Sequence, residues 1–366
     1  MEPYKSRELP LDGIDWASHV TLIGKANAAL ARFDGILQGI VNPKVLLSPL
    51  TTREAVLSSK IEGTQVSLED VLQYEADIRG PFKAEREMDI HEVLNYRKAM
   101  GHAVHELNDR RLTVDMIRDL HRILLSGVRG KNRAPGEIRR IQNYIARPGN
   151  PIENAIFVPP APSSVMSALS NWEQYLHSDE KDPLVQLSLL KAQFELIHPF
   201  SDGNGRIGRM LVPLILYNKK MLSSPMFYIS AYLERNRDVY FERLLGISRD
   251  DDWNGWISFF LGAITEQANE NSSKAWSILE LYKEMKGVIP EVVPTRHSIY
   301  VIDRIFSRPI LKSTDFYDIT GHSKMATRRI LNAMTDRGIL TVIQEAKGRQ
   351  PSVYAFTKLI DITDKA

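Results

Sequence analysis

Apolar positions recur three and four residues apart along most of this chain, the spacing of helices that bury one face. Val20, Ile23, Ala26, Leu30, Phe33 and Leu37 predict a helix over residues 17 to 40, punctuated afterwards by Asn42-Pro43 and Ser48-Pro49. Thr51 and Glu54 have the T-x-x-E spacing of a capping box, so the next helix is expected to begin there, run through Ser58 and end on Gly63. Helical patterns follow over Leu68 to Asp77 and Glu85 to Leu107, parted by Gly80-Pro81, then over Val114 to Leu125 behind a Thr113 cap. Further helices are expected over Ser163 to His177, Pro183 to Ile197, Arg206 to Met221 with Pro213 placed to kink it, and Trp253 to Lys286. Between Gly127 and Pro160 the pattern changes. Ile138 to Ile145 and Ile156-Phe157-Val158 flank Arg147-Pro148-Gly149-Asn150-Pro151 and predict a β-hairpin.

A separate unit begins at about residue 288. Ser298 to Phe306, Thr314 to Ile319 and Ser323 to Arg337 read as three helices, the last ending on Gly338. Ile339 to Gln344 and Ser352 to Phe356 then read as two strands, which completes the order of a winged helix-turn-helix. Lys324 and Arg328 share a face of the third helix, and Lys347 and Arg349 lie at the wing. DNA fits such a unit, and so does dimerisation or docking of a partner protein.

Composition narrows the classes. With 366 residues and 43% hydrophobic content the chain can build more than one core, and a net charge of +2 gives no global attraction to nucleic acid or acidic lipid. The absence of cysteine excludes disulfides, thiolate metal sites and cysteine nucleophiles, and fits a reducing compartment. The longest near-apolar run, Trp256 to Ile264, is too short to span a bilayer, and the first residues lack an apolar signal core, so a cytoplasmic location is expected.

The chemistry concentrates in HPFSDGNGRIGRM, His198 to Met210. Glycines at 203 and 205 allow tight turns and bare N–H groups where a helix starts, and a helix start attracts anions. Gly203 to Gly208 also matches G-x-G-x-x-G, the dinucleotide fingerprint. That reading fails on context: LVQLSLLKAQFELI before it is helical, and Tyr228 stands where an acid is needed. No P-loop motif occurs. His102 and His105 have i, i+3 spacing for a metal, but no third ligand accompanies them.

HPFSDGNGRIGR resembles the Fic family motif H-x-F-x-[DE]-G-N-G-R-x-x-R at every fixed position. PGEIR at 135 to 139, FVPPAP and SAYLERNRDVYFERL also look like Fic surroundings, and Ser58-x-x-x-Glu62-Gly63 is similar to the family's inhibitory motif. The resemblance implies a mainly α protein: a Fic-fold helical core with a β-hairpin flap, plus the C-terminal winged helix-turn-helix domain. The expected segments are an N-terminal helical region at 1–110 with the inhibitory helix at about 51–63, a catalytic domain at 111–286 and the winged helix at 287–366.

The implied reaction is transfer of AMP from ATP to a Ser, Thr or Tyr hydroxyl of a target protein, the chain itself included. His198 would be the base, and Asp202 would hold Mg²⁺. Gly203, Asn204, Gly205, Arg206, Ile207, Gly208 and Arg209 would bind the phosphates, with Tyr240 and Asn236 near the adenosine. Ile156, Phe157 and Val158 would form the flap that aligns the target. Ser58, Glu62 and Gly63 would be inhibitory, Glu62 pairing with Arg209 in place of the γ-phosphate. Implied partners are ATP, a target protein, and DNA, a protein or a second copy of the chain at the winged helix. Two alternatives stay open: a nucleotide-sensing DNA-binding regulator, and a Fic enzyme with another transfer or de-AMPylation activity.

Overall fold

The computed structural model describes residues 2–78, 83–128, 134–146, 150–293, 295–320, 323–348 and 350–364. Helices dominate: α1 Trp16–Gly39, α2 Pro43–Leu46, α3 Ser48–Ile61, α4 Leu68–Glu75, α5 Ala84–Glu106, α6 Val114–Leu124, α7 Pro162–His177, α8 Pro183–Ile197, α9 Asn204–Asn218, α10 Ser230–Arg235, α11 Arg237–Asp250 and α12 Trp253–Val288. Then follow α13 Thr295–Ser307, β1 Ile310–Lys312, α14 Ser313–Thr320, α15 Lys324–Asp336, β2 Thr341–Gln344, β3 Val353–Ala355 and α16 Thr357–Asp364. Among the described residues no helix is long and apolar enough to cross a membrane.

The compact units do not follow the linear division into 1–110, 111–286 and 287–366. One unit gathers residues 1–34, 57–64 and 91–269, and the other 35–56, 65–90 and 270–366. The physical reason is that α1, α3, α5 and α12 each give residues to both.

In the first unit α8 is buried on nearly all sides, its polar Gln186, Ser188, Lys191 and Gln193 included. Asp182 caps it, accepting from the Leu184 and Val185 N–H groups at 2.9 and 3.0 Å, and Pro183 sits in its first turn, where no N–H is needed. Trp172 of α7 and Trp256 of α12 lock onto it, each indole N–H donating at 2.8 Å, to the Leu190 and Ser188 carbonyls. α9 packs beside α8 and is buried over most of its length, despite Pro213 inside it. The loop 198–203 is thus pinned between two core helices. The N-terminal segment also belongs to this unit, with the Leu9 N–H donating to Asn171 at 2.9 Å.

In the second unit β1, β3 and β2 form an antiparallel sheet in that order, with Ile310 opposite Ala355 and Thr341 opposite Ala355 on the other side. Leu68, Leu72 and Ala76 of and beyond α4 bury against Ile310, Val353 and Ala355. The expected three helices and two strands are present here, together with β1 and α16, which periodicity did not signal. Arg349 lies outside the described residues, as do Gly80-Pro81 and Arg147-Pro148-Gly149.

Two local expectations are corrected. α3 starts at Ser48, not Thr51: Pro49 is tolerated in a first turn, and the Thr51 hydroxyl donates back to the Leu47 carbonyl at 3.3 Å. The capping box belongs instead to Ser67 and Asp70 at the start of α4. Of the expected hairpin, the described residues show the antiparallel bridge of Ile145 with Phe157. Pro151, Pro159 and Pro160 lack N–H groups, and Gln142 takes a would-be ladder carbonyl, donating to Pro159 O at 2.9 Å.

Candidate active site

His198 ends α8 in the left-handed conformation (φ 49°, ψ 60°), which swings the chain away from the helix. Its Nδ1 lies 3.3 Å from the Glu195 carbonyl, an acceptor only, so Nδ1 carries the proton and Nε2 keeps a lone pair. Burial lowers the His198 pKa, opposed by the nearby Glu195 carboxylate. At neutral pH the ring is therefore the neutral, proton-accepting form. Gly203, at φ +76°, starts α9 from the left-handed region that favours glycine. By their place in the first turn, the N–H groups of Asn204, Gly205 and Arg206 have no intrahelical acceptor.

A cavity of about 510 Å³ opens beside this loop, a size ordinary for a small-molecule site. Its polar wall holds Glu62, Glu195, His198, Gly205, Arg209 and Arg237. Its apolar wall holds Ile61, Ile145, Ile156, Phe157, Leu196, Tyr240, Phe241, Leu244 and Leu245. Gly205 is helical, and its value is room: a Cβ there would come within 2.2 Å of Glu62 Oε1.

Arg209 is 1% exposed. Its Nε donates to Ser58 Oγ at 2.9 Å, and its Nη2 donates to the Ser58 carbonyl at 2.7 Å and to Glu62 Oε1 at 2.6 Å. Desolvation would raise the Glu62 pKa, but Arg209, Arg206 and His198 outweigh it and hold the carboxyl below its ordinary value. Glu62 stands one residue past α3, where the helix dipole disfavours an acid, and Arg209 is the cation that compensates. Gly63 follows at φ +103° and donates to the Lys60 carbonyl at 2.9 Å, turning the chain out of the helix. Arg237 caps the same end, donating to the Ile61 carbonyl at 3.3 Å.

Several expected phosphate ligands point elsewhere. Asn204 spends its amide on the Phe200 backbone, accepting from N–H at 2.9 Å and donating to C=O at 2.8 Å, so it closes the loop and does not face the cavity. Arg206 turns to Glu92, donating at 2.8 Å, and to Asp202 at 3.6 Å, both away from the lining. Three residues along a helix differ by about 60° around its axis, enough to send Arg206 and Arg209 to different neighbours. The Ile207 side chain is core, and Gly208 abuts Glu195, whose oxygen a Cβ would meet at 2.3 Å.

Tyr240 lines the cavity with its ring while its hydroxyl accepts from Lys191 at 3.1 Å, beside the buried Lys191–Glu195 ion pair. Asn236 does not line it and donates to the Tyr232 carbonyl at 3.0 Å. Ile156 and Phe157 reach the cavity, but Val158 is buried, its carbonyl accepting from the Tyr4 N–H at 2.8 Å. The Asp202 side chain is 45% exposed, and Oδ1 takes both the Gly203 N–H at 2.6 Å and the Arg206 approach.

Periodicity did not single out two residues that hold the loop. Arg139 is buried and donates from Nε to the His198 carbonyl at 2.9 Å and from Nη2 to the Pro160 and Ile197 carbonyls at 2.5 and 3.3 Å. Its burial pulls the pKa down to about 10. His121 lies on the apolar face of α6, where it reads as core. Its Nδ1 accepts from the Gly136 N–H at 2.8 Å, so Nε2–H donates to the Asp202 carbonyl at 2.9 Å, and its ring stacks on Phe200 at 3.8 Å. A histidine amid the Ile117, Leu120 and Leu124 stripe was the available signal.

Burial lowers the His121 pKa to about 4. The unfolded chain therefore binds one more proton than the native one between about pH 4 and 6.5, and stability present above 6.5 is lost as pH falls through that window. The loss should approach 3 kcal/mol, on the order of the shift times 1.36 kcal/mol per unit. Chemical denaturation across that range should show a shallower pH slope for His121→Gln, and equal slopes would contradict this.

A histidine and a forked arginine thus face one cavity, beside a glycine-led helix start. The family model described as Fic/DOC family N-terminal matches residues 20–105, and the one described as Fic/DOC family matches 111–216. The chain belongs to the Fic/DOC family. The Desulfovibrio desulfuricans Fic family protein shares the fold at TM-score 0.59 and 20% identity, over 97% of this chain and 98% of its own. A Fic domain-containing signaling protein of Bacteroides thetaiotaomicron aligns at TM-score 0.56 and 17% identity, over 70% of this chain and 97% of its own. Protein adenylyltransferase Fic of Drosophila grimshawi is 29% identical over half of this chain and 32% of its own length. A probable protein adenylyltransferase of Aquifex aeolicus is 34% identical over 25% of this chain and 27% of its own. These matches span roughly a third or less of the curated relatives.

Proposed function

We propose that the chain transfers AMP from ATP to a hydroxyl side chain of a protein, and that Glu62 holds the site in an inhibited form. The observation that carries the reading is Arg209: a buried fork in the wall of the His198 cavity, paired with the Glu62 carboxylate at 2.6 Å. The names of the relatives support the reaction class.

In this reading His198 Nε2 takes the proton of the attacking Ser, Thr or Tyr hydroxyl. The oxygen bonds to the α-phosphorus, the bond from that phosphorus to the bridging oxygen breaks, and pyrophosphate leaves. The positive start of α9 takes up the shifting charge, and Arg209, once released by Glu62, binds the outer phosphates. The wall of Phe241, Leu244 and Leu245 accepts the adenine, and the strip at Ile156 and Phe157 aligns the target segment. Asp202, half exposed with its contacts on one oxygen, suits a Mg²⁺ ion, which takes one or two carboxylates and completes its shell with phosphate and water. When bound, the ion would neutralise phosphate charge. Arg206, Asn204, His121 and Arg139 act as positioning residues.

The test is incubation of Glu62→Gly with cell lysate, Mg²⁺ and ATP labelled at either the α- or the γ-phosphate. Transfer of α-label to protein that disappears in Glu62→Gly/His198→Ala supports the proposal. Label arriving only from the γ position indicates a kinase and overturns it.

A further inference from the structure

α15 buries Thr327, Ile330, Leu331 and Met334 in its own unit. The opposite face, at i, i+3, i+4 and i+7, carries Met325, Arg328, Arg329 and Asn332, all exposed, with Lys324 beside them at the start of the helix. Met325 is 83% exposed. This face differs from an ordinary solvated one, where acids and bases alternate. On α11, for comparison, Arg249 pairs with Glu242 at 3.8 Å. α15 has no glutamate, and its one aspartate, Asp336, is its last residue.

Several cations elsewhere in the same unit have acidic partners, Arg53 with Glu270, Arg86 with Asp70, Lys312 with Asp77, Arg337 with Glu291 and Lys358 with Glu284, while others such as Lys44 and Arg308 stand singly on the surface. Among the described residues, Lys324, Arg328, Arg329 and Lys347 make no ion pair. What sets these four apart is their clustering: exposed cations without an ion pair gather on one helix and the β2–β3 turn, with Glu345 the acid of that turn.

We propose that this face is a reading head for duplex DNA, with α15 in the major groove and Lys347 on the flanking backbone. The side chains match the chemistry of base edges. Arginine forks onto guanine O6 and N7, asparagine onto adenine N6 and N7, and Met325 offers apolar contact to a thymine methyl. Lys324 and Lys347 suit phosphates, which fix register without reading sequence. The support is rigid: Ser323 caps α15, accepting from the Ala326 N–H at 3.3 Å, and α14 precedes it in helix-turn-helix order.

The experiment uses the full chain and a fluorescent random-sequence DNA duplex about two helical turns long, followed by selection of the bound sequences. Polarisation should report binding at low salt that weakens linearly with log salt concentration, by about 0.9 log units per phosphate contacted. Arg328→Ala/Arg329→Ala should weaken it tenfold or more. Arg328→Lys/Arg329→Lys should keep the salt slope and lose the selected sequence preference, because lysine keeps the charge and lacks the fork. His198→Ala should bind as the wild type does, which separates this site from the proposed transfer reaction. Absence of duplex binding at low salt, undiminished binding by the double alanine variant, or tighter binding of polyglutamate or single-stranded RNA would overturn the proposal.

Discussion

Glu62→Gly should transfer AMP roughly ten- to a hundredfold faster than the wild-type chain, in side-by-side measurements of α-label incorporation. The carboxylate removed is the one that Arg209 holds at 2.6 Å. A charge-assisted hydrogen bond contributes about 1.5–3 kcal/mol, which sets that range through 1.36 kcal/mol per factor of ten. The lower end is favoured because the Glu62 side chain is 38% exposed and solvent screens the pair. Ser58 keeps its two contacts in the variant, so Arg209 stays anchored at Nε and Nη2 and only the Nη2 hydrogen that faced Glu62 is released. Glu62→Gln keeps shape and loses charge, and should fall between the two. Equal rates for wild type and Glu62→Gly would remove the inhibitory role.

His198→Ala in the Glu62→Gly background should lose about two to four orders of magnitude in turnover, the usual worth of a positioned general base. The pH profile carries more information than the loss. The active form is the neutral ring, and burial holds its pKa below the ordinary 6.5. Activity should therefore persist as pH drops past 6.5 and fail only when the lowered pKa is reached. Glu62 is one of the charges that raises that pKa. Its removal should move the acid limb of the Glu62→Gly profile further down. An acid limb at or above 6.5, or residual activity of His198→Ala within tenfold of its parent, would contradict the assignment.

How much of this was legible in the sequence depended on whether the cue was local. The core helices show in their periodicity, and α8 is bounded as expected because Asp182-Pro183 and the His198 turn are local signals. The glycine loop, His198 and the Glu62–Arg209 pairing sit on motif residues, and Glu62 and Arg209 do meet across 147 positions of chain. What spacing could not carry was direction. Arg206 and Asn204 sit in the right motif, but their partners, Glu92 and the Phe200 backbone, are set by tertiary packing. His121 and Arg139 clamp the loop through backbone carbonyls, and the PGEIR run and the lone histidine of the α6 stripe marked the residues without marking those contacts. The expected flap is represented among the described residues by the antiparallel bridge of Ile145 with Phe157, and its turn lies outside them.

The central claim is that Arg209 has two rival ligands, Glu62 and a phosphate of ATP. A double-mutant cycle on the α-label transfer rate measures this directly, using wild type, Glu62→Gly, Arg209→Met and the double variant. If Arg209 is the shared partner, removing Glu62 should activate the chain when Arg209 is present and give no gain when it is methionine. Full activation by Glu62→Gly in the Arg209→Met background would contradict the account.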